Sequence, residues 1–209
     1  MRAEIYWIEG VSEGHLAVMS RPRGGDWLAD EVRSLRATGV DVLVSLLTTD
    51  EVAELDLADE AGCCAACGIE FVSFTFADRG VPASATAPLA LVRKLAALVS
   101  SGKGVAVHCL QGIGRSSLVA ACVLASLGER PEAAFERVAR TRGRPVPDTP
   151  EQRDWVLRFV DRHLTRAGGT TLLLSTQAMP GTPALAEAAC RVGWSVHAFD
   201  EDPPDRPGG

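Results

Sequence analysis

Residues 105–120 read VAVHCLQGIGRSSLVA. An apolar run ends in His108-Cys109, the chain crosses Leu110, Gln111, Gly112, Ile113 and Gly114, and Arg115-Ser116 opens a second apolar run. The first run reads as a strand, the second, Ser116 to Leu127, as an apolar helix. A helix beginning near Gly114 to Ser116 turns unpaired backbone N–H groups and the positive end of its dipole toward the loop. Gly112 and Gly114 let the backbone curl so that successive N–H groups make an anion nest. A thiol at the mouth of that nest sits in a field that favours the nucleophilic thiolate. Arg115 closes the loop with a planar fork suited to two oxygens of one phosphate. Nucleophile, donors and cation therefore converge on one tetrahedral anion, which is the arrangement needed for attack on phosphorus. The competing reading of Cys109 is a small buried structural thiol, the role expected of Cys122 within the apolar helix.

The elements that must position these residues alternate along the chain. Residues 4–8 and 15–19 read as short strands joined by a Gly-containing turn. A helix follows from Asp26 to about Gly39, with Leu28, Val32 and Leu35 on one face. DVLVSLL (41–47) is a buried strand, helical pieces cover 49–66, and FVSFTF (71–76) is the next strand. Thr86 and Pro88 open another helix, GVAVH (104–108) is a strand, and helices near 131–141 and 150–166 follow the apolar helix. This order predicts an α/β fold with a mostly parallel central sheet and helices on both faces. FVSFTF and GVAVH flank one helix, so a right-handed crossover makes them parallel. Asp78 and Cys109 then both emerge beyond the carboxyl ends of their strands, where ligand crevices form in such sheets. A carboxyl group there can protonate a leaving oxygen and later serve as a base; the plainer reading of Asp78 is a turn residue in Asp-Arg-Gly.

His108 to Ser116 resembles the HCxxGxxR[ST] signature of the cysteine-dependent protein tyrosine and dual-specificity phosphatases. Asp78-Arg79-Gly80-Val81-Pro82 is similar to the D-x-x-x-P loop of the small dual-specificity-like members. The resemblance implies that Cys109 forms a cysteinyl-phosphate intermediate, that Arg115 and the loop from Leu110 to Gly114 bind the phosphoryl oxygens, and that Asp78 is the general acid. It further implies that Ser116 hydrogen-bonds the sulfur and helps it leave, and that His108 supports loop and thiol. Gln152 resembles a glutamine that some of these enzymes use to position the hydrolytic water. Thr149-Pro150-Glu151-Gln152 is equally a capping box with Pro at the first helical position, and both readings stand. Arg142, Arg144 and Asp148 lie in a loop that can edge the pocket, with solvated surface charge as the preferred reading, and Trp7, Trp27 and Trp155 read as core.

Composition limits the partners. The 209-residue chain carries a net charge of −6, so no global basic field points to nucleic acid. The longest apolar run is far short of a membrane span and MRAEIYWIEG lacks the apolar stretch of a secretory leader, so a cytoplasmic protein with no membrane partner is expected. Cys63-Cys64-x-x-Cys67 lacks a second ligand pair, and His15, His163 and His197 lack paired spacing, so no metal and no other cofactor is expected. Whether one of those three cysteines pairs with Cys109 under oxidation is left open. GIGRSS lacks the lysine of a nucleotide P-loop, and the third glycine of a dinucleotide fingerprint is missing.

Leu110, Gln111 and Ile113 are neutral, where phosphatases of polyphosphorylated inositides commonly carry lysines. The expected substrate is a phosphorylated protein, with phosphotyrosine foremost and phosphoserine or phosphothreonine within reach of a shallow pocket. The oligomeric state is not readable. Two other classes stay in view: a non-catalytic phosphate-binding module, against which Cys109, Arg115 and Asp78 together argue, and a rhodanese-like sulfurtransferase, against which the Gly-x-Gly-Arg-Ser ending and the D-x-x-x-P loop argue.

After Arg166 the character changes. Ala167-Gly168-Gly169 reads as a linker, and TLLLST, PALAEAACRVGW and SVHAF as strand, helix and strand, before a final DEDPPDRPGG of disorder-like composition. This tail resembles the opening unit of the N-terminal domain of ATP-grasp enzymes over about forty residues, without a catalytic motif, and implies no ATP chemistry. The expected division is a phosphatase-like domain over 1–166 and a C-terminal extension over 167–209.

Overall fold

Runs of Val, Leu and Ile become strands here because both sheet faces find a cover. The computed structural model describes residues 4–11, 13–164, 171–175 and 195–199. The chain divides into two units, Met1–Val160 and Asp161–Gly209. In the first, β1 (Ile5–Trp7), β2 (His15–Ser20), β3 (Val42–Ser45), β4 (Glu70–Ser73) and β5 (Gly104–Cys109) form one sheet in the order β1-β2-β5-β3-β4. β2, β5, β3 and β4 run parallel, and β1 lies antiparallel on β2 at one edge. The expected α/β fold with a mostly parallel sheet is therefore what forms. β5, the strand that leads into Cys109, is central and buried at every residue.

Seven helices are described: α1 (Leu28–Ala37), α2 (Thr49–Glu54), α3 (Glu60–Ala66), α4 (Thr86–Ser100), α5 (Arg115–Ser126), α6 (Pro131–Arg142) and α7 (Pro150–His163). Ala17, Met19, Leu43 and Ala106 turn to one side of the sheet and pack with Val32 and Leu35 of α1 and Cys64 of α3. Side chains alternate along a strand, so Leu16, Val18, Val105 and Val107 turn to the other side, where α4 and α5 pack. α5 is buried from Arg115 through Leu124, as the apolar sequence from Leu118 onward requires.

Three expectations change. Gly25–Trp27 is a 3-10 turn, and Trp27 is 57% exposed with the Arg23 guanidinium 4.5 Å over its ring, so it is not a core residue. β4 ends at Ser73 rather than at Phe76, because the Phe76 carbonyl leaves the ladder to accept from Arg115 at 3.2 Å. β3 lies between β4 and β5, so Asp78 and Cys109 follow strands that are parallel but not adjacent.

In the second unit, β6 (Thr171–Ser175) and β7 (Ser195–Phe199) pair in parallel, at the two places where the tail reads as strand. The helix expected at 183–194, with Cys190, lies outside the described residues.

Candidate active site

The loop after β5 is wedged into place by its glycines. Gly112 has φ +70°, and any side chain there would meet the Met19 carbonyl at 2.5 Å. This residue can therefore only be glycine if the loop is to lie against β2. The first intrahelical bond of α5 runs from Leu118 N–H to the Gly114 carbonyl at 3.0 Å. The amides of Arg115, Ser116 and Ser117 thus have no acceptor inside the helix and stand at its positive end.

Cys109, 3% exposed, lines a pocket of about 130 Å³ with Asp78, Arg79, Leu110, Gln111, Ile113, Gly114 and Asp148. Its Sγ lies 3.6 Å from Ser116 Oγ. Cys122 is buried in α5 and burial alone pushes its thiol up, as expected of a structural cysteine. None of Cys63, Cys64 and Cys67 lines this pocket; they sit on α3 and its C-terminal cap.

Arg115 is fully buried and almost fully engaged. Both Nη atoms donate to Glu51, at 2.7 Å to each carboxylate oxygen, and Nη1 also donates to the carbonyls of Leu46 and Phe76. Nη2 lies 3.1 Å from Asp78 Oδ1. Nε, buried, has no partner. The outer Nη edge is thus spent on anchoring, while Nε is an orphan donor of the kind an anion would satisfy. The Arg115 hydrogen bonds hold the Glu51 carboxyl below its usual range despite partial burial.

Glu51 is the residue that sequence reading misses. Its side chain accepts from Thr48 N–H at 2.8 Å while Thr48 Oγ1 accepts from Glu51 N–H at 3.3 Å, a complete capping box at the start of α2. Thr48-x-x-Glu51 is a visible signal for a fixed carboxylate, but nothing local says that it faces Arg115.

Two more acceptors meet at the rim. A methyl group placed on Gly114 would lie 2.2 Å from Asp148 Oδ2 and 3.0 Å from Gln152 Oε1. Asp148 is therefore a pocket residue and not merely solvated charge. Nor is Arg142 simply surface charge, because it donates to the Gln111 carbonyl at 3.1 Å and stacks 3.8 Å over the Tyr6 ring, steadying the loop. Gln152, fully buried, completes only half of the expected capping box. Its N–H donates to Thr149 Oγ1 at 3.2 Å, but its Nε2 donates to the Gly80 carbonyl at 3.0 Å, tying α7 to the Asp78 loop. Its Oε1 has no partner.

In that loop Arg79 takes a left-handed φ of 56°, a strained conformation for a residue with a side chain. Arg79 also brings to the pocket a cation that the neutral 110–113 stretch lacks. His108 is fully buried, its Nε2 3.0 Å from Oε1 of the buried Glu60 on α3, without the alignment of a hydrogen bond.

Comparison with known proteins places the fold. The human protein named cyclin-dependent kinase inhibitor 3 is 26% identical over 134 residues, and the chain spans 63% of that relative's length and 63% of its own in the match. A solved structure of kinase-associated phosphatase, with its catalytic-site cysteine replaced by serine, superposes with a TM-score of 0.68 at 22% identity, covering 78% of this chain and 96% of that one. Tk-PTP in its active form gives 0.58 at 26% identity, covering 76% and 96%. A family model described as Tc-R-P, polymorphic toxin system, DSP-PTPase phosphatase, matches residues 17–129, from β2 through the whole of α5. The chain belongs to this DSP-PTPase phosphatase family.

Proposed function

We propose that the chain is a protein phosphatase that hydrolyses phosphomonoesters, phosphotyrosine foremost and phosphoserine or phosphothreonine as well, through a cysteinyl-phosphate. The observation that carries this reading is an unspent donor set in the segment that follows the thiol: Arg115 Nε is buried without a partner, and the amides at the start of α5, the helix that follows the Cys109 loop, have no acceptor within it. Cys109 Sγ attacks phosphorus as the ester oxygen departs with a proton from Asp78. Arg115 and the loop from Leu110 to Gly114 hold the phosphoryl oxygens, with charge building where donors already wait. Water then attacks phosphorus, the P–S bond breaks, and the electron pair returns to sulfur, where Ser116, 3.6 Å away, stabilises it. His108 holds the strand end, and Gln152 fixes the Asp78 loop through Gly80.

The phosphatase domain in this reading covers residues 1–166, with 167–209 as an extension, in a cytoplasmic protein. No helix among the described residues is long and apolar enough to cross a membrane. Family membership leaves the sulfurtransferase alternative without support, and the binding-module alternative is decided by turnover. The test is hydrolysis of an aryl phosphate under reducing conditions by wild type and Cys109→Ser. Wild-type turnover with a loss of about 10³-fold or more in the variant is expected, because no other group in the pocket can form the intermediate. Equal rates in the two proteins would overturn the reading, and saturable phosphate binding without turnover would favour the module.

A further inference from the structure

We propose that Arg142 is a positioning residue for the loop from Leu110 to Gly114: by holding the Gln111 carbonyl from outside, it turns the Gly112 N–H into the pocket as a donor for an anion, and Tyr6 keeps it in that pose. The inference rests on the phosphatase reading above, through the loop that binds phosphate, and names a residue that prepares this binding without entering the pocket.

The geometry carries it in steps. Arg142 is the last residue of α6, which stops at Gly143 in a left-handed turn of φ +65°. Its Nη2 donates to the Gln111 carbonyl at 3.1 Å, yet Arg142 is not one of the residues that line the pocket of Cys109. That carbonyl therefore faces away from the pocket. A trans peptide carries its C=O and N–H on opposite sides, so the Gly112 N–H of the same plane points the other way, to the pocket. The preceding plane is held in the same sense: the Leu110 carbonyl accepts from the Arg21 N–H at 3.4 Å, and Arg21 also lies outside the pocket lining.

The hold matters because of the residue that follows. Gly112 stands at φ +70°. Glycine takes positive and negative φ about equally readily, so the plane between Gln111 and Gly112 has little of its own to fix its direction. Turned over, that plane would present a carbonyl oxygen to the anion in place of a donor. Arg142 is itself held by a ring: its guanidinium carbon lies 3.8 Å from the centroid of Tyr6 on β1. The ring face attracts the cation and restrains a long side chain that would otherwise swing. β1 and α6 thus act together on one peptide plane of a loop to which neither belongs.

Calorimetric titration with tungstate, a tetrahedral oxyanion, reads the donor set apart from turnover, and hydrolysis of an aryl phosphate reads it within the reaction. Arg142→Ala should weaken tungstate binding about 10-fold or more and lower kcat/KM by a similar factor, since an amide turned away is a lost oxyanion donor. The loss should persist at about 1 M salt, where exposed charges more than about 3 Å apart are screened. Arg144→Ala, which removes the same charge two residues on, should bind tungstate within about two-fold of wild type. Arg142→Lys keeps a donor for the carbonyl and should recover most of the affinity, and Tyr6→Leu should lose about two- to five-fold. In protein with isotopically labelled glycine, the Gly112 amide resonance should move when tungstate is added to wild type and stay in place in Arg142→Ala. Thermal unfolding identifies a loss that comes from misfolding, and Arg142→Met, which keeps the apolar stem without the donors, repeats the test if alanine prevents folding. Unchanged tungstate affinity in the Ala and Met variants, or a loss that Arg144→Ala matches or high salt abolishes, overturns the assignment while leaving the phosphatase reading intact. A wild type that binds tungstate with this dependence on Arg142 but releases no phenol overturns the phosphatase reading and keeps the assignment. A wild type that binds no tungstate overturns the assignment.

Discussion

Arg23 and Arg115 each hold a glutamate, and only Arg115 belongs to the candidate site. Arg23 gives Nε and Nη2 to a single oxygen of Glu31, at 3.0 and 2.7 Å, and lays its face on Trp27. Arg115 gives both Nη atoms to Glu51 and keeps Nε without a partner. The cleft beside Arg23 is about 570 Å³, several times the pocket of about 130 Å³ that Cys109 lines. Size and positive charge therefore do not distinguish the reactive end of the molecule. What distinguishes it is donors left over after the scaffold has been satisfied, next to a nucleophile. In one region the ion pair completes the structure; in the other it aims a cation at something still to come.

Lysine substitutions at the two positions test this contrast. Arg115→Lys should lower turnover on an aryl phosphate by about 10²-fold or more, since an ammonium cannot clamp Glu51 and also present a second edge to phosphate. Retained turnover in that variant would mean that the orphan Nε is an accident of packing. Between the two lysine variants in size lies an acid dependence. Arg115 lowers the Glu51 carboxyl from its ordinary value of 4.5, so within the window between the two values the unfolded chain binds more protons. Stability from this pair is complete above the ordinary value and is lost as pH falls through the lowered one. The melting-temperature gap between wild type and Glu51→Gln should be widest near neutrality and close on acidification. A gap that widens with acid would contradict the clamp.

The smallest effect belongs to the other arginine. Arg23→Lys should leave turnover at the wild-type level and cost about 1 kcal/mol or less in chemical denaturation, as partly exposed pairs do. A turnover loss there would make the α1 cleft part of the site.

The legible part of this site is the part that is local in sequence. Strand, loop and helix from Val105 to Leu127 can be read directly, because glycine placement and apolar pattern act within a few residues. The handedness of one crossover also places Asp78. Glu51 is not legible, since its contact with Arg115 spans 64 residues and no periodicity encodes it. For Asp148 and Arg142 the pocket-edge reading is the less favoured of two for the same reason: their partners, Gly114 and Gln111, lie far away in sequence. Gln152 admits two readings, and the structure gives it a cap at its backbone and a loop tether at its side chain. The overestimated length of β4 has a related cause. Phe74–Phe76 has strand composition, but a buried guanidinium claims the Phe76 carbonyl.

The contact between Arg115 Nη2 and Asp78 also makes ligand binding an exchange rather than an addition. An arriving phosphoryl oxygen competes with a carboxylate for the same N–H, and the pocket holds that internal competitor whenever it is empty. Bare phosphate, the product, must displace it without offering anything in return. A phosphate ester, by contrast, brings a leaving oxygen to the carboxylate it has dislodged. In the proposed reaction, the same rivalry that weakens product retention leaves Asp78 free for the leaving oxygen.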